Sequence, residues 1–133
     1  MSDLSTRQLL EQLIGFPTVS RDSNLALIVF IRDYLGQYGV KAELFYNVER
    51  NKASLFATIG PTDRAGIALS GHTDVVPVDG QAWTVDPFVL TEKNGRLYGR
   101  GTADMKGYIA SVLAAVPEFA RRPRRQPVHL AFS

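Results

Sequence analysis

His72, Asp74 and Asp104 have the side chains in this 133-residue chain best suited to metal chemistry. His72 and Asp74 stand in Ser70-Gly71-His72-Thr73-Asp74-Val75-Val76-Pro77. Asp104 stands in Gly99-Arg100-Gly101-Thr102-Ala103-Asp104-Met105-Lys106-Gly107. One imidazole and two carboxylates form a borderline-to-hard ligand set of the kind that zinc or a similar divalent ion takes. In extended backbone, the i, i+2 spacing puts His72 and Asp74 on the same side. His72 can then bind a metal through one ring nitrogen while Asp74 supports that imidazole. Asp104 sits where a glycine-rich turn enters a helix, and Gly99, Gly101 and Gly107 permit tight backbone paths near an ion. A carboxylate there gains from the helix dipole, and its two oxygens can bridge two cations.

Each of these residues also has a plainer reading. His72 alone can be a loop or core histidine. Asp104 alone can be a helix N-cap, a role equally open to Thr102. Asp74 can be a turn residue ahead of Val76-Pro77. Only their combination points to a metal site, and spacing carries the argument no further. His129 lies within an apolar strand-like run and reads as structural. Trp83 and Phe88 read as packing residues of a loop, with a role as pocket walls the alternative.

The elements that must position these residues follow from periodicity. Leu9, Leu10, Leu13 and Ile14 recur at helical spacing in a first helix ending near Gly15-Phe16-Pro17. A second helix runs from about Asn24 to Tyr38, with Leu27, Ile28, Ile31 and Leu35 as its buried stripe and Gly39 closing it. Strand-like runs follow at Lys41–Tyr46, Ala53–Ile59 and Gly66–Ser70, with a turn at Gly60-Pro61-Thr62-Asp63. Residues 71–102 read mostly as loop, with extended pieces around Phe88–Thr91 and Arg96–Tyr98. A loop of that length inside one domain is usually functional. A third helix is predicted over Met105–Ala120, with Ile109, Val112, Leu113 and Val116 inward, and a last strand over 127–133. The alternation argues for an α/β sheet covered by helices. His72 and Asp74 then lie beyond the end of a strand, where ligands of open α/β sheets collect.

Composition narrows the class. Hydrophobic content of 45% and charged content of 21% suit a globular domain. No run approaches the roughly 20 apolar residues of a membrane span. Met1–Arg7 lacks a basic region followed by an apolar run, so no secretory signal is expected and the cytoplasm is the expected compartment. The absence of cysteine removes disulfides, thiolate metal sites and cysteine nucleophiles. Net charge is only +2. The Arg121-Arg122-Pro123-Arg124-Arg125 run has no interleaved aromatics and reads as a solvated connector after a helix. Neither a nucleic acid nor a membrane is expected as partner.

Together with Trp83-Thr84-Val85-Asp86-Pro87-Phe88 and Leu97-Tyr98-Gly99, the two motifs resemble a zinc-dependent amidohydrolase and peptidase family. That family includes acetylornithine deacetylase, succinyl-diaminopimelate desuccinylase, aminoacylase and glutamate carboxypeptidase. The likeness covers essentially the whole chain and looks closest to the acetylornithine deacetylase branch, with the desuccinylase branch its near alternative. It implies a mixed-sheet, zinc-peptidase-like catalytic domain with helices on both faces, of which residues 1–133 are the N-terminal portion. It also implies two zinc ions, with cobalt as an alternative, and hydrolysis of a small N-acyl amino acid by a homodimeric enzyme. In that scheme His72 binds the first ion, Asp104 bridges both and is followed by a cis peptide, and Asp74 is the active-site carboxylate. The family's acidic pair, a general base and a metal ligand, would follow Ser133, and the dimerisation domain would lie beyond it. The 133-residue chain alone is therefore expected to be inactive. Its competing readings are a non-catalytic α/β module and, on the arginine run alone, a nucleic-acid module.

Overall fold

Ser5 and Gln8 open the first helix by capping each other, so two backbone donors that a helix start would leave unpaired are satisfied. The Ser5 hydroxyl accepts from the Gln8 N–H at 3.2 Å, and the Gln8 carboxamide accepts from the Ser5 N–H at 2.9 Å. The computed structural model describes residues 3–133. Met1 and Ser2, the start of the segment read for a secretory signal, lie outside the described residues. Helix α1 covers Thr6–Ile14 and buries Leu9, Leu10, Leu13 and Ile14, the stripe that the spacing predicts. Helix α2 covers Leu25–Gly36 and buries Leu27, Ile28, Ile31, Tyr34 and Leu35. None of the described helices is long and apolar enough to cross a membrane.

Six strands follow the helical pair, and α3 (Gly107–Arg121) separates the last from the rest. Strands β1 (Ala42–Tyr46), β2 (Ala53–Ile59), β3 (Ile67–Gly71) and β6 (Val128–Phe132) form one sheet in the order β1-β2-β6-β3. β1 pairs antiparallel with β2, β2 antiparallel with β6, and β6 parallel with β3. Parallel neighbours need a long crossover, and α3 supplies it. The alternating pattern of β2 turns Ala53, Leu55, Ala57 and Ile59 inward, and Val128, Leu130 and Phe132 of β6 join them. These residues form one core with the buried stripes of the helices. The α/β class and mixed sheet agree with the sequence expectation. Within residues 3–133 the core lies on one sheet face only, and the opposite face carries the exposed Phe45 and Phe56.

Two segments differ from expectation. In the stretch 71–102, the extended piece expected at Arg96–Tyr98 is β5, while its partner β4 covers Thr91–Lys93 instead of Phe88–Thr91, and the two pair as a hairpin. Its turn is Asn94-Gly95, with φ of 53° and 70°. Two left-handed residues match the right-handed twist of a two-residue hairpin, so the Asn-Gly pair was its sequence signal. The third helix begins at Gly107 and not at Met105, whose φ of −139° lies outside the helical range.

Pro117 lies inside α3 and has no N–H to offer the carbonyl of Leu113 one turn earlier. Tyr34 of α2 fills that vacancy, its hydroxyl donating to the Leu113 oxygen at 3.2 Å. Burial is the main cause that pushes the Tyr34 hydroxyl well above its ordinary pKa, so it remains a donor across the working range. Tyr34→Phe should therefore lower stability by about 1–2 kcal/mol, the usual penalty of a buried carbonyl left unpaired. In a Pro117→Ala background the helix regains an N–H for Leu113 and the penalty should shrink. Urea denaturation of the four proteins in this cycle checks the claim, and an equal penalty in both backgrounds contradicts it.

Candidate metal centre

The chain keeps its extended form beyond the end of β3. Ser133 donates to Gly71 O at 3.1 Å and the Thr73 N–H donates to Ser133 O at 2.6 Å, so the parallel pairing with β6 continues. On the other side, Val75 donates to Thr18 O at 2.9 Å and Ser20 donates to Val75 O at 3.1 Å. Residues 72–75 are thus held between two neighbours as a short strand. Alternation does the rest: Thr73 and Val75 are buried, while His72 and Asp74 emerge together. The His72 Nδ1 lies 3.0 Å from both the backbone oxygen and Oδ1 of Asp74, as the i, i+2 spacing predicts.

Asp104 arrives from a sharply folded turn, Thr102–Lys106. Gly101 enters it with φ of 93°, and a Cβ there would stand 2.6 Å from Val75 Cγ1. A Cβ on Gly107 would stand 2.3 Å from Thr102 O, so neither position has room for a side chain. The Asp104–Met105 peptide is cis, as the family resemblance implies. The outcome is a contact across 32 residues of sequence, with His72 Nε2 2.9 Å from Asp104 Oδ1. The N-cap alternative for Asp104 is not realised: Lys106 occupies that position of α3, which has no side-chain cap. The Thr102 hydroxyl donates instead to Gly99 O at 3.0 Å.

Hydrogen-bond roles assign the imidazole. A carbonyl can only accept, so Nδ1 carries a proton toward Asp74 and Nε2 is the nitrogen that a cation would take. Partial burial pulls the His72 pKa down, but the bonds and charges of Asp104 and Asp74 outweigh it and leave the pKa above 6.5. Asp74 is held below the usual carboxylate range, first by the Ser20 hydroxyl at 2.6 Å and then by His72. Its two oxygens therefore face Ser20 and His72. The pair of donors that converge, His72 Nε2 and Asp104 Oδ1, suits zinc in chemistry and orientation. Among the described residues no third His, Cys, Asp or Glu joins them. A zinc site ordinarily draws at least three ligands from protein. The residues present fit part of such a site.

Lys106 was not singled out by its sequence position. It is fully buried, and its Nζ donates to Leu13 O at 2.9 Å and Phe16 O at 2.7 Å at the end of α1. Burial pushes its pKa down to about 8. Ser20 was missed as well, because it meets Asp74 across 54 residues with no local signal. His129 stays in the sheet, its Nδ1 2.9 Å from Thr58 Oγ1 and its ring stacked on Phe56. Trp83 packs under the Arg100 guanidinium, 5.0 Å from its ring centre, and donates to Gln81 at 2.8 Å. The arginine run engages its own chain: Arg121 pairs with Asp3 at 2.8 Å and Arg124 covers Phe119 at 4.4 Å.

Comparison with known proteins supplies the chain's relatives and its fold. The sequence profile of "Peptidase family M20/M25/M40" matches residues 68–133, the stretch that holds all three site residues. Acetylornithine deacetylase of Proteus mirabilis is 41% identical over 130 residues, covering 92% of this chain and 33% of that protein. Its counterpart in Pasteurella multocida is 39% identical, over 92% of this chain and 34% of its own length. The chain thus spans about a third of the curated relatives it matches. Among solved structures, an M20 family metallo-carboxypeptidase from Sulfolobus solfataricus superposes with a TM-score of 0.83 at 24% identity, over 100% of this chain and 31% of that one. Human carnosine dipeptidase 1 superposes equally well, with a TM-score of 0.83 at 23% identity over 96% and 31%. At those identities the likeness establishes the fold.

The His72 contacts have a pH signature. Because the folded pKa lies above 6.5, the contacts stabilise the fold fully below that pH, and the contribution is lost as pH rises through the folded value. Asp104→Asn and Asp74→Asn should each lower the His72 pKa in the metal-free chain. An NMR titration of the imidazole checks this; a His72 pKa unmoved in both variants contradicts the assigned contacts.

Proposed function

Because the chain belongs to peptidase family M20/M25/M40, we propose that His72 and Asp104 hold a divalent metal in a hydrolase of linear amides. The proposed reaction splits N-acetylornithine into ornithine and acetate, a step of arginine biosynthesis. The observation that carries the reading is the meeting of His72 Nε2 with Asp104 Oδ1 while Asp74 holds the other ring nitrogen. Support for the substrate comes from the two acetylornithine deacetylases, at 41% and 39% identity. Zinc, with two ions in a protein of the relatives' length, is the proposed metal, and cobalt an acceptable substitute. A homodimer is the proposed assembly. The cytoplasm is the proposed compartment, in line with a chain that contains no cysteine.

The roles follow from the contacts. When bound, zinc would supply an activated water and polarise the scissile carbonyl. Asp74 keeps the proton on Nδ1, presents the Nε2 lone pair to the ligand position, and compensates positive charge on the ring. Ser20 holds the second oxygen of Asp74, so the carboxylate does not swing away. Asp104, whose Oδ1 lies beside His72 Nε2, would offer its carboxylate to the metal. The base that takes the water's proton is proposed to come from the part of the relatives' length that this chain does not span.

A second reading applies to the 133 residues alone, a non-catalytic α/β module. It is favoured by the count of two converging ligands among the described residues. Calorimetric titration with zinc should accordingly show weak binding and no amide hydrolysis; tight uptake of two ions would contradict it. The enzymatic reading is tested by a hybrid in which this chain replaces the matching third of the Proteus mirabilis enzyme. Metal-dependent release of acetate from N-acetylornithine, abolished by His72→Ala, is the expected result. A folded, zinc-loaded hybrid that releases none would sink the substrate assignment.

A further inference from the structure

Asn24 heads α2, yet its carboxamide caps no helix N–H. It is 6% exposed and reaches across to β2 instead. Its Oδ1 accepts from the Ala53 N–H at 3.0 Å, and its Nδ2 donates to Ala53 O at 2.9 Å. The peptide groups of Ala53, one donor and one acceptor, thereby dictate which end of the amide is nitrogen. The remaining Nδ2 hydrogen goes to Thr73 Oγ1 at 3.0 Å.

Thr73 lies between His72 and Asp74, and its side chain is wholly buried. All of its polar groups have partners. The N–H and the hydroxyl both donate to Ser133 O, at 2.6 and 2.8 Å, and its carbonyl accepts from the Thr18 hydroxyl at 2.6 Å. An amide nitrogen can only donate, so Thr73 Oγ1 accepts from Asn24 and must send its own hydrogen to Ser133. That direction fixes the rotamer of Thr73 and adds the Asn24 side chain to the backbone bonds that hold the peptide planes on either side. Those planes carry His72 and Asp74.

We infer that Asn24 is a positioning residue for the His72–Asp74 pair, acting through the Thr73 hydroxyl. The inference rests on the reading of His72 and Asp104 as metal ligands. It adds to that reading a residue 49 positions from Thr73 that belongs to neither motif. The bonds from Asn24 to Ala53 already tie α2 to β2, so a purely structural role would need nothing from Thr73. The arm to Thr73 is what distinguishes the two.

The test uses the 133-residue chain at one fixed pH, with the imidazole nitrogen NMR signals of His72 as the readout, before and after zinc is added. Thr73→Val removes the hydroxyl and leaves both Ala53 bonds intact. Asn24→Asp keeps the acceptor for the Ala53 N–H and loses both donated bonds, to Ala53 O and to Thr73, so Thr73→Val is the selective member of the pair. Both should displace the His72 signals and weaken the zinc-induced change about tenfold to a hundredfold, the usual effect of a supporting partner. Thr73→Ser, which restores the hydroxyl, should return the His72 signals and zinc response to wild type. Thermal unfolding verifies that each variant is folded; if Asn24→Asp is not, Thr73→Val against Thr73→Ser decides. Variants that melt earlier but leave the His72 signals of wild type would overturn the inference. If zinc perturbs neither His72 nor Asp104 in the parent chain, the metal reading falls, while the zinc-free signals still decide the positioning.

Discussion

The site depends on the four residues after β3 being held as a strand although the sheet proper has ended. Ser133 pairs with them from one side and Thr18 and Ser20 from the other. Inside that clamp the backbone has no choice of face: Thr73 and Val75 go in, and His72 and Asp74 come out side by side. A loop of the same sequence would let the imidazole and the carboxylate diverge at every turn of the backbone. The buried polar groups that make the clamp are paired through Asn24, Thr18 and Thr73, so burying them does not leave an orphaned donor or acceptor.

The opposite half of the constellation is set by close approach and by one buried cation. Gly101 lets the turn pass against Val75, and Gly107 lets α3 begin against Thr102. Lys106 then anchors the turn to the end of α1. An ammonium without a carboxylate partner is costly to bury. Here two carbonyls at a helix C-terminus, where the dipole is negative, take its hydrogens. The lowered pKa of Lys106 reports the cost that remains. Beyond the turn, Tyr34 repairs the carbonyl that Pro117 leaves open, so α3 crosses the sheet unbroken and delivers β6 beside β3. The same crossover that completes the sheet therefore brings Ser133 to Thr73.

How much was legible in advance follows the range of each interaction. The buried stripes of α1, α2 and α3 and the inward residues of β2 are periodic in the chain, and periodicity is local. Of the β4–β5 hairpin, the extended piece expected at Arg96–Tyr98 is β5 itself, whereas β4 begins only at the last residue of the piece expected around Phe88–Thr91. Strands of three residues are too short for a pattern to fix their pairing, although Asn94-Gly95 marks the turn. The third helix, predicted from about Met105 with Ile109, Val112, Leu113 and Val116 inward, starts two residues later because the backbone at Met105 departs from helical geometry. The second layer of helices that the resemblance implies is not formed within residues 3–133, whose helices share one core.

By itself the sequence determined the α/β class, the order of its main elements, and the identity of His72, Asp74 and Asp104. These reside in short motifs and in spacings of two to four residues, where local backbone geometry dictates which side chains share a face. Tertiary structure decided that His72 Nε2 would lie within hydrogen-bond distance of Asp104 Oδ1, that Asp104 would not cap α3, and that Ser20, Asn24 and Lys106 would reach the segments that carry these residues. Those contacts join residues 32 to 93 positions apart. No spacing encodes them, because a hydrogen bond over that range exists only once the sheet, the crossover helix and the buried core have fixed both partners in space.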